Sequence, residues 1–147
     1  MEYNKEKIVI LTTDTLHHRY YINQILDAGY IIGAVFFEKR KNVNQVLPVS
    51  PYEELEKSYE KKKFFQNKSP EINSAINVYE TDNINDTIVI DRIKKLKPII
   101  GLVFGTSLIQ PKVYSLFYGN LYNVHRGIPQ YYRGLDSDLW AIKNNDW

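Results

Sequence analysis

The sequence predicts an α/β protein built on an open, mostly parallel β-sheet with helices on both faces. Three observations carry that expectation. Apolar, β-branched runs at residues 7–11, 30–37 and 99–104 read as strands buried on both sides. Stretches with helical spacing of apolar residues, 16–28 and 86–96, stand between or before them. The punctuation is that of short turns and helix ends, with Gly29, Pro98, Gly105, Pro111 and Gly119 at the joints. Strands that alternate with helices come out parallel, because each crossover helix returns the chain to the same end of the sheet.

Taken in order, residues 7–11 form the first strand, and Thr12, Thr13, Asp14 and Thr15 supply turn and N-cap chemistry. Leu16, Tyr20, Ile22, Ile25 and Leu26 make a loose helical stripe that Gly29 is placed to cap. Residues 30–37 are the second strand. The chain then turns polar over an insert around residues 38–73. There Ser50, Pro51 and Glu53 form a capping box with proline at the first helical position, opening a charged surface helix to about Phe65. Residues 77–79 read as a short strand. Asn85 is expected to cap a helix over 86–96, with Val89, Ile93 and Leu96 on one face and Pro98 stopping it. Residues 99–104 are the next strong strand, Pro111 opens a short helix with Val113, Leu116 and Phe117, and a strand through Asn123 and His125 follows. A last helix spans about residues 138–143. The order is Rossmann-like, but the turn after the first strand reads Thr-Thr-Asp-Thr, without the glycines that cradle a dinucleotide, and no P-loop is present. Neither NAD nor ATP is predicted.

Composition narrows the classes. With 147 residues, 44% hydrophobic and 24% charged, the chain reads as one domain with a substantial core. Nineteen basic against seventeen acidic residues leave +2, which gives no argument for a nucleic-acid partner. Lys61, Lys62 and Lys63 are balanced by Glu53, Glu54, Glu56 and Glu60 and read as a solvated helix face. Without cysteine there is no disulfide, thiolate nucleophile or Cys-type zinc site. The early apolar run at residues 8–11 is too short for a signal peptide or a membrane span, so a cytosolic protein without a membrane partner is expected.

The most informative stretch is residues 121–134, Leu-Tyr-Asn-Val-His-Arg-Gly-Ile-Pro-Gln-Tyr-Tyr-Arg-Gly. Residues two apart on a strand share a face, so Asn123 and His125 would present an amide and an imidazole side by side. Gly127, Pro129 and Gly134 force a loop after them. Open α/β sheets bind ligands outside the carboxyl ends of their strands. There, an amide and an imidazolium could each donate to a developing oxyanion, worth ~3–4 kcal/mol of barrier when preorganised. The imidazole could also shuttle a proton from an attacking amine. The plain alternative is that both side chains only satisfy loop backbone groups.

The Asn123-x-His125 pair followed by a proline-containing loop, Tyr132-Arg133-Gly134 and a helix with Leu139, Trp140, Ala141 and Ile142 resembles the 10-formyltetrahydrofolate-dependent formyltransferase family. That family includes methionyl-tRNA formyltransferase, glycinamide ribonucleotide transformylase and the sugar N-formyltransferases. Residues 97–109 resemble its strand and folate-cradling loop, and the likeness runs from about residue 88 to 147, with only the element order agreeing earlier. The resemblance implies a formyltransferase-like domain spanning 1–147 and incomplete at its carboxyl end. It further implies 10-formyltetrahydrofolate as formyl donor and a small amine as acceptor. Asn123 and His125 would polarise the formyl carbonyl, the main chain of Ser107, Leu108 and Ile109 would hold the pterin, and Phe104 would line its pocket. Oligomeric state is left open.

Two departures shape the expectation. The family's His-Pro-Ser is His125-Arg126-Gly127 here, and the loop proline comes one residue early as Pro129. Enzymes acting on small amines vary more in this loop, so the acceptor is expected to be a nucleotide-linked amino sugar or similar molecule before a tRNA. The family's catalytic aspartate lies downstream of the residues present. Asp136, Asp138 and Asp146 do not match its motif, and Asp136 or Asp138 reads instead as the last helix's N-cap. Weak or absent turnover is therefore expected. A 10-formyltetrahydrofolate hydrolase and a folate- or nucleotide-binding remnant are the competing readings. Arg126, Tyr132 and Arg133 are candidates to meet the substrate, although the arginines could equally pin the loop and Tyr131 and Tyr132 could pack under it. His17 and His18 point to different faces, which argues against a shared metal. Arg19 and Asn23 read as solvent-facing, or as bordering the cleft.

Overall fold

The computed structural model describes residues 7–39, 51–134 and 137–146, without the side chains of 51–53. Five strands form one sheet: β1 (Lys7–Thr12), β2 (Ile31–Glu38), β3 (Val78–Thr81), β4 (Ile100–Phe104) and β5 (Leu121–Asn123). All pairings are parallel and the spatial order is β3-β2-β1-β4-β5. This is the Rossmann-like α/β sheet that the alternation of apolar runs predicts. The helices are α1 (Leu16–Asp27), α2 (Pro51–Phe65), α3 (Thr87–Leu96), α4 (Pro111–Tyr114, extended by a 3₁₀ turn at Ser115–Phe117) and α5 (Ser137–Lys143).

The central strand β1 is buried on both sides because its residues alternate between two cores. Ile8 and Ile10 pack with Ile22, Ile32, Val35 and Phe37 on the α1 side. Val9 and Leu11 pack with Phe36, Val89, Ile93, Val103 and Phe117 on the α3 side. Ile32 and Ala34 are two apart yet serve opposite cores. A register shift between Ile8 and Val9 explains this, since it leaves Gly33 as an extra, bulged residue. Helix α1 ends in a Schellman motif: Gly29, at φ +85°, donates its N–H to Leu26 O at 2.8 Å and Tyr30 N–H reaches Ile25 O at 3.3 Å.

The insert helix α2 rests on α1, with the rings of Tyr20 and Phe64 stacked at 4.5 Å, and Lys61, Lys62 and Lys63 are exposed as expected. The capping role of Ser50 lies outside the described residues. Helix α3 begins one residue later than the sequence suggests: Asp86 occupies its N-cap position without a side-chain bond. Asn85 does not cap it, because its amide is committed to another loop. Arg19 and Asn23 are not simply solvated either. Arg19 forms a two-pronged ion pair with Asp14 and donates to Pro70 O at 3.1 Å, while Asn23 donates to Glu71 O at 3.1 Å. Together they lash α1 to the segment between α2 and β3. The hydrogen bond with Asp14 holds the Arg19 guanidinium above its ordinary pKa, although partial burial works the other way.

Candidate functional site at the carboxyl edge of the fourth and fifth strands

Strands β4 and β5 pair with Leu102 opposite Tyr122 and Val103 opposite Asn123, so the chain leaves both strands at one edge of the sheet. Two loops therefore meet there, 105–110 and 124–134. Opposed residues in a parallel pair share a face. Leu121, two before Asn123, packs on the α3-side core, and exposed Asn123 continues that face outward. Phe104 has the other parity. Its ring lies against His18 at 4.0 Å and Tyr21 at 5.6 Å on the α1 side. The two residues share an edge through their backbones, while the ring of Phe104 faces away from Asn123. Partial burial raises the Tyr21 phenol above its ordinary pKa.

Strand pairing stops sooner than the sequence suggests. Val124 N–H still donates to Val103 O at 2.8 Å, but His125 already belongs to the loop. Its Nδ1 stands 2.8 Å from Gly127 O and 3.2 Å from Gly127 N. One neutral nitrogen cannot donate and accept at once. A protonated Nδ1 donates to that carbonyl, whereas a bare Nδ1 accepts the Gly127 N–H, so Nε2 carries the lone pair in the first tautomer alone. The plain reading is thus met by one ring nitrogen, and the other stays available for chemistry.

The loop then closes onto α5. A Cβ at Gly127 would stand 2.7 Å from Ser137 Cβ and 2.9 Å from Tyr132 Cβ, so only glycine fits. Arg126 pairs with Asp138 at 3.1 Å. Asp138 lies inside the first turn of α5 and is held by this ion pair, so it is not the N-cap residue; Asp136 lies outside the described residues. Arg133 donates to Pro129 O at 2.9 Å, and Tyr132 OH donates to Asp146 at 3.1 Å while accepting from Asn144 at 3.2 Å. Both arginines thus serve the loop. Tyr131 is not packed beneath it but is 76% exposed. Tyr131, Tyr132, Arg133, Ser137, Trp140 and Asn144 line an open hollow of about 250 Å³. All three of its loop residues stand out in the sequence, Tyr131 and Tyr132 as a candidate wall of an acceptor pocket and Arg133 as a candidate substrate contact. The contribution of α5 escapes the sequence, although Ser137 and Trp140 are three apart and so share a helix face.

The 105–110 loop is fastened from below. Buried Glu38, at the end of β2, accepts from Ser107 N–H at 2.6 Å, from Ser107 Oγ–H at 2.8 Å and from Ile84 N–H at 2.8 Å. Buried Asn85 donates to Leu108 O at 3.0 Å and accepts from Gln110 N–H at 2.8 Å. Thr106 Oγ–H donates to Ser107 O at 3.0 Å. Ile109 packs on the core, whereas Leu108 is 88% exposed.

On the α1 side, His17 Nδ1 meets Glu60 at 2.9 Å and its Nε2 lies 3.3 Å from Thr15 Oγ. The same hydroxyl accepts the capping bond from His18 N–H, so this chain of contacts clamps α2 onto the start of α1. Buried His18 turns Nδ1 to Thr13 O at 2.8 Å. Among the described residues, no group of three or more His, Asp or Glu side chains could hold a metal ion. No helix among them is long and apolar enough to cross a membrane. Compared with models of known protein families, the chain matches none.

Proposed function

We propose that this chain transfers a formyl group from 10-formyltetrahydrofolate to the amine of a small molecule such as a nucleotide-linked amino sugar. The observation that carries the reading is the pairing of β4 with β5, which brings the Asn123–His125 pair and the 105–110 loop to one carboxyl edge. The loop suits a pterin. Among the described residues, nothing hydrogen-bonds Leu108 N–H or either backbone group of Ile109. A flat heterocycle with donors and acceptors on its rim matches such exposed main chain.

The bound donor supplies the formyl carbon, already activated as an amide of a weakly basic nitrogen. Asn123 Nδ2–H is suited to donate to the formyl oxygen as negative charge gathers there. In the tautomer with its proton on Nδ1, His125 is suited to take at Nε2 the proton that the acceptor amine loses and return it to the departing nitrogen. Arg126 and Arg133 stand on the loop that the acceptor would meet.

A binder without turnover is the second reading, favoured by one observation: among the described residues, no carboxylate contacts His125. Assaying tetrahydrofolate release from 10-formyltetrahydrofolate, with and without amino-sugar nucleotides, separates the possibilities. Amine-dependent release supports transfer, and formate release that needs no amine supports a hydrolase. Saturable folate binding with neither product supports the binder, and no binding at all rejects the folate reading.

A further inference from the structure

We infer that Glu38 is the positioning residue of the proposed folate loop, and that it acts through Ser107, whose two donors anchor that loop and are not offered to the ligand. The inference rests on the folate reading above and sharpens it. Glu38 sits on β2, and the loop follows β4; β1 lies between them in the sheet. The carboxylate therefore spans the width of the central strand to reach Ser107. A buried carboxylate is costly unless its oxygens are satisfied. Here Oε1 takes Ile84 N–H and Ser107 Oγ–H, and Oε2 takes Ser107 N–H, the shortest of the three at 2.6 Å. Among the described residues, no lysine or arginine pairs with Glu38, so its charge is met by these donors.

The consequence for Ser107 follows directly. Its N–H and hydroxyl are spent on Glu38, and its carbonyl accepts from Thr106. Both donors of Ser107 are thus spent, and only acceptor lone pairs on its oxygens remain for a pterin. Next along the chain, Asn85 pulls Leu108 O and Gln110 N–H toward the protein. With the carbonyl of Leu108 turned inward, its N–H and that of Ile109 are the main-chain donors these two residues keep for a ligand. The loop is thus preorganised by two buried polar side chains from neighbouring elements, so little ordering cost falls on the binding step.

Calorimetric titration with 5-formyltetrahydrofolate, a donor analogue that cannot transfer its group, tests this on wild type, Glu38→Ala, Glu38→Gln and Ser107→Ala. Losing charged hydrogen bonds to the loop should weaken binding by Glu38→Ala about tenfold or more. Glu38→Gln, which keeps an acceptor oxygen, should recover part of it, and Ser107→Ala should cost only a few-fold. The acceptor KM should stay unchanged in all three, a split that general unfolding would not produce. If wild type binds and folded Glu38→Ala or Glu38→Gln binds equally well, the positioning role is overturned. If Ser107→Ala abolishes binding while Glu38→Gln does not, Ser107 is a ligand contact and the inference is wrong. If wild type itself fails to bind, the folate reading fails first and takes the inference with it.

Discussion

The imidazole of His125 points its Nδ1 at the carbonyl of Gly127, 2.8 Å away, two residues further along its own loop. Gly127 N–H lies 3.2 Å from the same nitrogen, so the Gly127 backbone orients the ring through Nδ1 in either tautomer. Nε2 is the nitrogen left to face a substrate. Replacing His125 or Asn123 with alanine should lower amine-dependent tetrahydrofolate release by ~10²–10³ each, the usual effect of losing one oxyanion or proton-transfer group. The double variant should be little worse than either single one, because groups acting on one transition state are not additive. Rates within a few-fold of wild type for both single variants would remove the pair from the chemistry.

Gly127 is the point at which that loop presses against Ser137, the first residue of α5. Any side chain there must displace Ser137 and Tyr132, so Gly127→Ala should cost about 1–3 kcal/mol of stability, as overpacking does. Urea unfolding measures it. The loss should be matched by weakened packing of α5, read as faster amide exchange over residues 138–143. An unchanged midpoint would mean that α5 does not seat against Gly127 as described.

The Arg126–Asp138 pair is half exposed, with side-chain accessibilities of 50% and 36%. Exposed pairs stabilise by roughly 0.2–1 kcal/mol, so a double-mutant cycle with Arg126→Ala and Asp138→Ala should return a coupling in that range. A coupling of several kcal/mol would show that the pair is a structural clamp and leave Arg126 no freedom to meet an acceptor. If Arg126 does meet it, Arg126→Ala raises the acceptor KM and leaves folate binding unchanged.

Tyr21 gives a pH prediction. Its phenol, partly buried beside Phe104, is raised above its ordinary value. The folded state thus holds this proton more tightly than the unfolded chain, and ∂ΔG/∂pH is negative in the window between the two pKa values. Its contribution is fully present below about pH 10, the unperturbed tyrosine value, and is lost as pH rises through the folded value. Tyr21→Phe should flatten the alkaline limb of a stability-versus-pH curve and leave the neutral region nearly unchanged. An identical alkaline limb in the variant would contradict the burial.

Much of the framework was legible because it depends on local pattern. The β-branched runs, the Gly29 cap and the Pro98 stop gave strands and helices whose bounds shift by a residue or two in the structure. What escaped was non-local. Asn85 reads as a cap because asparagine before a helical run usually is one, yet its amide is taken by Leu108 and Gln110 from a loop more than twenty residues away. Arg19 and Asn23 look solvent-facing on a helical wheel, but carbonyls at Pro70 and Glu71 receive them. Glu38 is invisible for the same reason: an acidic residue ending an apolar strand gives no hint that three donors converge on it. At the site, the sequence indicated where the Asn123–His125 pair lies, but not that the strand stops before His125 or that Trp140 joins Tyr132 around a hollow.

The folate reading stands on a location, the carboxyl edge shared by β4 and β5. Titrating ¹⁵N-labelled protein with 5-formyltetrahydrofolate and following backbone amide resonances tests it most directly. Saturable shifts are expected to concentrate at Leu108, Ile109, Val124 and His125, with Ser107 moving less because its N–H stays on Glu38. Shifts centred instead on residues 13–17, or a spectrum that does not change, would contradict it.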